Sequence, residues 1–202
     1  MGYQITPFMA QHARAAAEIH AEGQPGTFLT SLGPTFLRAL YTEMAASPRC
    51  YGFVALEGDE VIGVVIGASD ASAIFKELIV RRGVKLALPV LGAMLRRPVL
   101  LGRVVETLRY PAQQPHEPGE AELFYIGVRG ARRGEGVGAA LFDALAQASR
   151  QRGMRAMGLI VDDANETAKR FYLRHGMVAV SAWPMYGRLM NWYRLDLENS
   201  AQ

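Results

Sequence analysis

The chain has 202 residues, half of them apolar and a fifth charged, with 22 Lys and Arg against 19 Asp and Glu for a net charge of +3. This length and apolar fraction suit one domain spanning 1–202 with a substantial core, and exclude a disordered chain. With no basic stripe or aromatic RNA-binding motif the charge does not support a nucleic-acid binder, and the single Cys50 excludes an internal disulfide or a cysteine zinc cluster, so no metal is expected and a reducing cytoplasm is the default compartment.

Gly2–Pro7 reads as a first strand, and it lacks both the basic start and the continuous apolar run of a secretory signal. A myristoylation pattern through Gly2 and Thr6 is too short to outweigh that. Met9–Gly23 has helical composition with Gly23 as its stop. Thr27–Ser47 predicts a second helix, with Phe36, Leu37, Leu40, Tyr41 and Met44 on one face and Pro34 near its first turn. Cys50–Ser69 reads as a hairpin of two β-branched and aromatic runs turning at Glu57–Glu60.

From Ala71 to Pro118 the sequence is helical, leucine-rich and basic, carrying Lys76, Arg81, Arg82, Lys85, Arg96, Arg97, Arg103 and Arg109. Pro89 and Pro98 are expected to break it into two or three short helices, and no apolar run approaches the ~18 residues of a membrane span. Such an insertion can lie on a membrane surface, form a dimer contact or cover a site; packing on its own domain is the expected outcome, with shaping of an acceptor site as the functional hypothesis. Thereafter come a strand (Ala121–Val128), a helix (Gly134–Gly153) with Val137, Leu141, Leu145 and Ala148 on one face, a strand (Ala156–Asp163), a helix from its cap Asn165 to its stop Gly176, and two strands (Met177–Trp183, Leu189–Leu197).

The helix from Val137 is preceded by Gly134 and Gly136 and contains Gly138 in its first turn. A helix start offers free N–H groups and a positive dipole end, and glycines let an anion approach them closely, so the loop asks for a phosphate or pyrophosphate. A P-loop is excluded because Ala139 and Ala140 stand where Lys and Ser or Thr are required. A dinucleotide fingerprint fits through Gly134, Gly136 and Ala139, with Asp162 ending the next strand. Against that NAD(P)-oxidoreductase reading, Arg129–Arg133 separate the strand from the first glycine, and the remaining chain is too short for a doubly wound sheet.

Arg133, Gly136 and Gly138 fit R-x-x-G-x-G after a strand, and Asn165, Ala168, Tyr172 and Gly176 fit N-x-x-A-x-x-x-Y-x-x-x-G-F, with Met177 in place of the phenylalanine. Together they resemble the acetyl-CoA-binding motifs of the GNAT superfamily of acyl-CoA-dependent N-acyltransferases, most strongly over 121–179. The resemblance implies an α/β (α+β) fold: a mixed, mainly antiparallel sheet of about seven strands, splayed between the fourth and fifth, flanked by helices, with the helical insertion between the third and fourth. It implies acetyl-CoA as acyl donor in that cleft, held by Ile126, Val128, Arg133, Gly134, Gly136, Val137, Gly138, Ala139, Asn165 and Tyr172. By the same resemblance the Val128 N–H faces the thioester oxygen and Tyr172 returns a proton to the CoA thiolate, with an amine attacking directly in a ternary complex.

Phe171 and Tyr172 also suit a plain aromatic core, Asn165 a plain N-cap, and Gly127 a bulge or the close approach of another backbone. A general base is sought among the fourth strand's carboxylates, Glu120 or Glu122, with Glu122 on the face opposite Leu123; a surface glutamate is the competing reading. His20 and Glu22, placed between the first two helices, line either the acceptor pocket or a solvated loop. The thin case for a base leaves a non-catalytic acyl-CoA-binding module as the alternative, and self-association into a homodimer stays open.

Overall fold

A computed structural model of the chain describes residues 2–80, 83–96, 102 and 117–198. Strand β1 (Gln4–Pro7) leads through a 3-10 turn at Ala10–His12 into α1 (Ala13–Gly23), α2 (Phe28–Ser31) and α3 (Pro34–Ala45). The stretch expected as one helix over 27–47 divides at Gly33, whose φ of 95° no helix accommodates; Pro34 then opens α3, where its missing N–H costs nothing. β2 (Cys50–Glu57) and β3 (Glu60–Ala68) form the expected hairpin, and Gly58 supplies its left-handed corner at φ 58°.

The described part of the insertion consists of α4 (Ala71–Val80) and α5 (Gly83–Arg96). The expectation that Pro89 would end a helix is overturned, because α5 runs through it. Proline forfeits one helical hydrogen bond there, and Leu86, Val90 and Ala93 pack the helix onto the core beside α1 and α3, which offsets that loss. The expected break at Pro98, and the helices read over 97–101 and 103–116, lie outside the described residues. β4 (Glu120–Val128), α6 (Val137–Gln151), β5 (Ala156–Asp162), α7 (Glu166–Arg174), β6 (Val178–Met185) and β7 (Arg188–Asp196) complete the order.

The seven strands form one sheet in the order β1-β2-β3-β4-β5-β7-β6. Every pair is antiparallel except β4 and β5, which run parallel and are bonded only from Glu120↔Ala156 to Glu122↔Gly158. Beyond Glu122 the two strands part. Side-chain alternation explains the two layers that cover the sheet. Ala121, Leu123, Met157, Leu159, Val161, Tyr193 and Leu195 face α6 and α7, where they meet Val137, Leu141, Phe142 and Leu145. The opposite face carries Val54, Val64, Ile66 and Tyr125 against Ala16, Ile19, Leu37 and Tyr41 of α1 and α3.

The pairing of β3 with β4 is irregular at one point: Ile66 opposes Tyr125 while Gly67 opposes Leu123, so Phe124 is an extra residue in β4. This bulge is displaced from Gly127, where the sequence suggested one. The close approach at Gly127 is by a side chain, because a Cβ there would collide with the ring of Tyr125. Among the described residues, no helix is long and apolar enough to cross a membrane.

Candidate active site

Backbone groups alternate between the two edges of a strand, so the partner of one residue fixes the direction of the next. The Arg129 N–H bonds back to Ile62 O at 2.9 Å, toward β3. Val128 therefore points its N–H and C=O the other way, and its carbonyl accepts from Arg133 Nε at 3.3 Å. By the same alternation Ile126 also turns its polar backbone toward the side that β5 has left. The parted sheet thus presents N–H groups at Ile126 and Val128 that no strand uses.

At the mouth of this opening α6 begins. Its N-cap, Gly136, is left-handed at φ 82° and has no side chain to cap the helix. The first helical bond runs from Ala140 N–H to Gly136 O. The N–H groups of Val137, Gly138 and Ala139 therefore have no acceptor among the described residues, which is the condition for binding an anion. Gly134, also left-handed at φ 83°, and Gly136 are open where a Cβ would stand. A Cβ on Gly138 would lie 3.8 Å from Val128 and 3.7 Å from Phe171, so this residue joins the end of β4, the start of α6 and the face of α7.

Three arginines flank the loop, and carboxylates hold two of them. Arg129 reaches Glu18 at 3.2 Å, Glu60 at 3.5 Å and Glu22 at 3.9 Å. Arg132 reaches Glu57 at 2.7 Å and Glu135 at 3.2 Å. Arg133 is exposed and has no carboxylate partner among the described residues, so its charge remains available. Free helix amides, open glycine surfaces and one available guanidinium suit a diphosphate, and the unused strand amides suit an amide-bearing arm.

Tyr172 lies on α7. Its ring packs against Phe171 at 5.3 Å, Phe142 at 6.2 Å and Tyr193 at 6.4 Å, which realises the aromatic-core reading. Only 7 % of the residue is exposed, and its hydroxyl makes no hydrogen bond among the described residues. Burial raises its pKa well above the ordinary phenol value, so it stays protonated at neutral pH. Asn165 does cap α7, its Oδ1 accepting the Ala168 N–H at 3.1 Å, which leaves the side-chain amide for other work.

Both carboxylates sought on β4 are buried, so the surface-glutamate reading is wrong. The sheet faces are set by Leu123, which is buried in the α6 core, so Glu120 and Glu122 turn to the opposite layer. Glu120 is already engaged: Oε1 accepts from Arg194 Nε at 2.7 Å, and Oε2 from the Glu117 N–H at 3.3 Å. Glu122 is 2 % exposed and stands at the last residue pair before the sheet opens.

His20 and Glu22 belong to α1, and the expected loop position is wrong for both. His20 is 3 % exposed, stacks on Tyr125 at 4.4 Å with an interplanar angle of 15°, and shares a 2.7 Å hydrogen bond between Nδ1 and Tyr41 Oη. Burial lowers its pKa to about 4. Protonation then favours the unfolded chain, whose histidine titrates near 6.5, so the stability from neutral His20 is whole above that value and is lost as pH falls toward 4. Wild type should lose about 1 kcal/mol more stability than His20→Gln between pH 7.5 and 5.5 by urea denaturation; equal losses would contradict this.

Sequence reasoning missed Tyr125. Its hydroxyl donates to Ile19 O at 3.0 Å. Burial raises its pKa most; Arg133 opposes that, while Glu22 and Tyr172 reinforce it, which places this phenol among the site's charges. The available signal was Gly127 two residues along the strand, where a Cβ would collide with the ring.

A family model described as the acetyltransferase (GNAT) family matches residues 15–177. Among solved structures, an N-acetyltransferase of Staphylococcus aureus Mu50 is similar with a TM-score of 0.65 and 16% identity, over 98% of this chain and 99% of that one. NAA60 of Arabidopsis thaliana in complex with acetyl-CoA gives 0.63 and 15% identity, over 98% and 99%. The yncA acetyltransferase of Salmonella typhimurium with acetyl-CoA gives 0.64 and 14%, over 100% and 98%. No curated protein sequence matches the chain significantly.

Proposed function

Because the chain belongs to the GNAT acetyltransferase family, we propose that it uses acetyl-CoA to acetylate a primary amine by direct attack in a ternary complex. The observation that carries this reading is the conjunction of unused amides at the start of α6 with a sheet that opens after Glu122. Acetyl-CoA supplies an acyl carbon activated as a thioester. The N–H groups of Val137, Gly138 and Ala139 and the guanidinium of Arg133 bind its diphosphate, with Gly134 and Gly136 shaping the loop. The side-chain amide of Asn165, unused by the cap, is read as a further contact to the donor.

Along the open edge of β4, Ile126 and Val128 hold the pantetheine arm by backbone hydrogen bonds, and the Val128 N–H stabilises negative charge on the acyl oxygen. Tyr172 donates its Oη proton to the departing sulfur. Phenol and thiol pKa values are close enough for that transfer to be nearly balanced in water, and burial keeps the phenol loaded with its proton. Glu122, on the layer opposite α6, takes the proton that the amine must lose. We further read the chain as one domain of the cytoplasm, with α4 and α5 beside the acceptor side of the sheet.

Release of free CoA thiol from acetyl-CoA, assayed over a panel of primary amines, aminosugars and peptides, tests the function. Turnover of at least one acceptor, lost in Glu122→Gln, is expected. CoA binding without turnover of any acceptor would instead favour a non-catalytic binding module.

A further inference from the structure

The contact between α1 and the loop that leaves β4 is unusually specific. The Gly130 N–H donates to Glu22 Oε1 at 2.6 Å, a charge-assisted bond that fixes the backbone two residues past the end of β4. A Cβ on residue 130 would stand 2.9 Å from that oxygen, a contact that a small shift of the flexible carboxylate relieves.

We propose that Glu22 is a positioning residue for the diphosphate loop: by holding the Gly130 N–H it sets where Arg133 and the α6 amides meet the donor. This role rests on acetyl-CoA being the donor. Electrostatics alone disfavours carboxylates in this place. Glu18, Glu22 and Glu60 crowd one guanidinium, that of Arg129, beside a site for a polyanion. A carboxylate with only a charge to contribute would weaken anion binding there. Glu22 instead offers an acceptor that the loop backbone needs, and Arg129 partly neutralises the charge it brings.

A positioning role and a bare charge give opposite signs, which makes them separable. Glu22→Ala removes both charge and acceptor, whereas Glu22→Gln removes the charge but keeps an acceptor oxygen. The measurement is calorimetric titration of each full-length variant with CoA, alongside a urea midpoint to confirm folding. Positioning predicts CoA binding about five-fold weaker in Glu22→Ala, with Glu22→Gln at or above wild-type affinity. Acetyl-CoA KM should rise in parallel while kcat stays within about two-fold, because a misplaced loop weakens ground-state and transition-state binding alike.

If Glu22→Ala binds CoA as well as Glu22→Gln, or more tightly than wild type, Glu22 is a spectator charge and the proposal is overturned while the acetyl-CoA reading stands. Failure of wild type itself to bind CoA overturns that reading, and this inference with it.

Discussion

Tyr172→Phe is expected to lower kcat about 100-fold while leaving CoA affinity within about two-fold, as removal of a single positioned general acid does. The asymmetry comes from where the side chain sits. Its ring is held by Phe171, Phe142 and Tyr193, and phenylalanine preserves all three contacts. The hydroxyl makes no bond to the described residues, so removing it deprives none of them of a partner and should cost little stability. What it removes is the proton donor of the proposed reaction. The departing thiolate must then take its proton from water. Steady-state kinetics with acetyl-CoA and a turned-over amine, with thermal unfolding as control, measures this; an unchanged kcat would remove Tyr172 from the chemistry and leave it as a core aromatic.

Arg133→Glu should weaken CoA binding about 30-fold at low ionic strength, as expected when a favourable charge contact with a diphosphate becomes a repulsive one. Neighbouring arginines cannot compensate, because Arg129 and Arg132 are already held by Glu18, Glu22, Glu60, Glu57 and Glu135. Arg133 is exposed, so salt screens its interaction, and the gap between variant and wild type should narrow several-fold between about 10 mM and 0.5 M salt. The Nε contact to the Val128 carbonyl is weak at 3.3 Å, and its loss should leave the unfolding midpoint nearly unchanged. Affinity unaffected by the reversal at any salt concentration would place the diphosphate elsewhere.

Much of the candidate site's geometry was legible because it is built from backbone. Gly134, Gly136 and Gly138 announce a place where amides must be exposed, and the spacing from Asn165 to Tyr172 puts a cap and a phenol on one short helix. Hydrophobic periodicity likewise announced the β2–β3 hairpin and the buried face of α6. What escaped the sequence depends on contacts between distant segments. Whether Glu120 and Glu122 are buried turns on the layer facing the sheet, and Glu120 is identifiable as structural only when Arg194, on β7, is seen to reach it. His20 looks like a loop residue until Tyr41 and Tyr125 close around it. Pro89 signals a helix end by local rules, and tertiary packing of Leu86, Val90 and Ala93 overrules them. The bulge at Phe124 sits three residues from the glycine that hinted at one, because strand register is set by pairing with β3.

Donor binding as proposed requires that amides at the start of α6 grip a diphosphate whose arm lies along the open edge of β4. Comparing CoA with pantetheine by calorimetry isolates that grip, since pantetheine keeps the arm and lacks the diphosphate. CoA should bind at least about 100-fold tighter than pantetheine, with the difference falling steeply in Arg133→Glu. Equal affinities for the two ligands, or an undiminished difference in that variant, would contradict the claim.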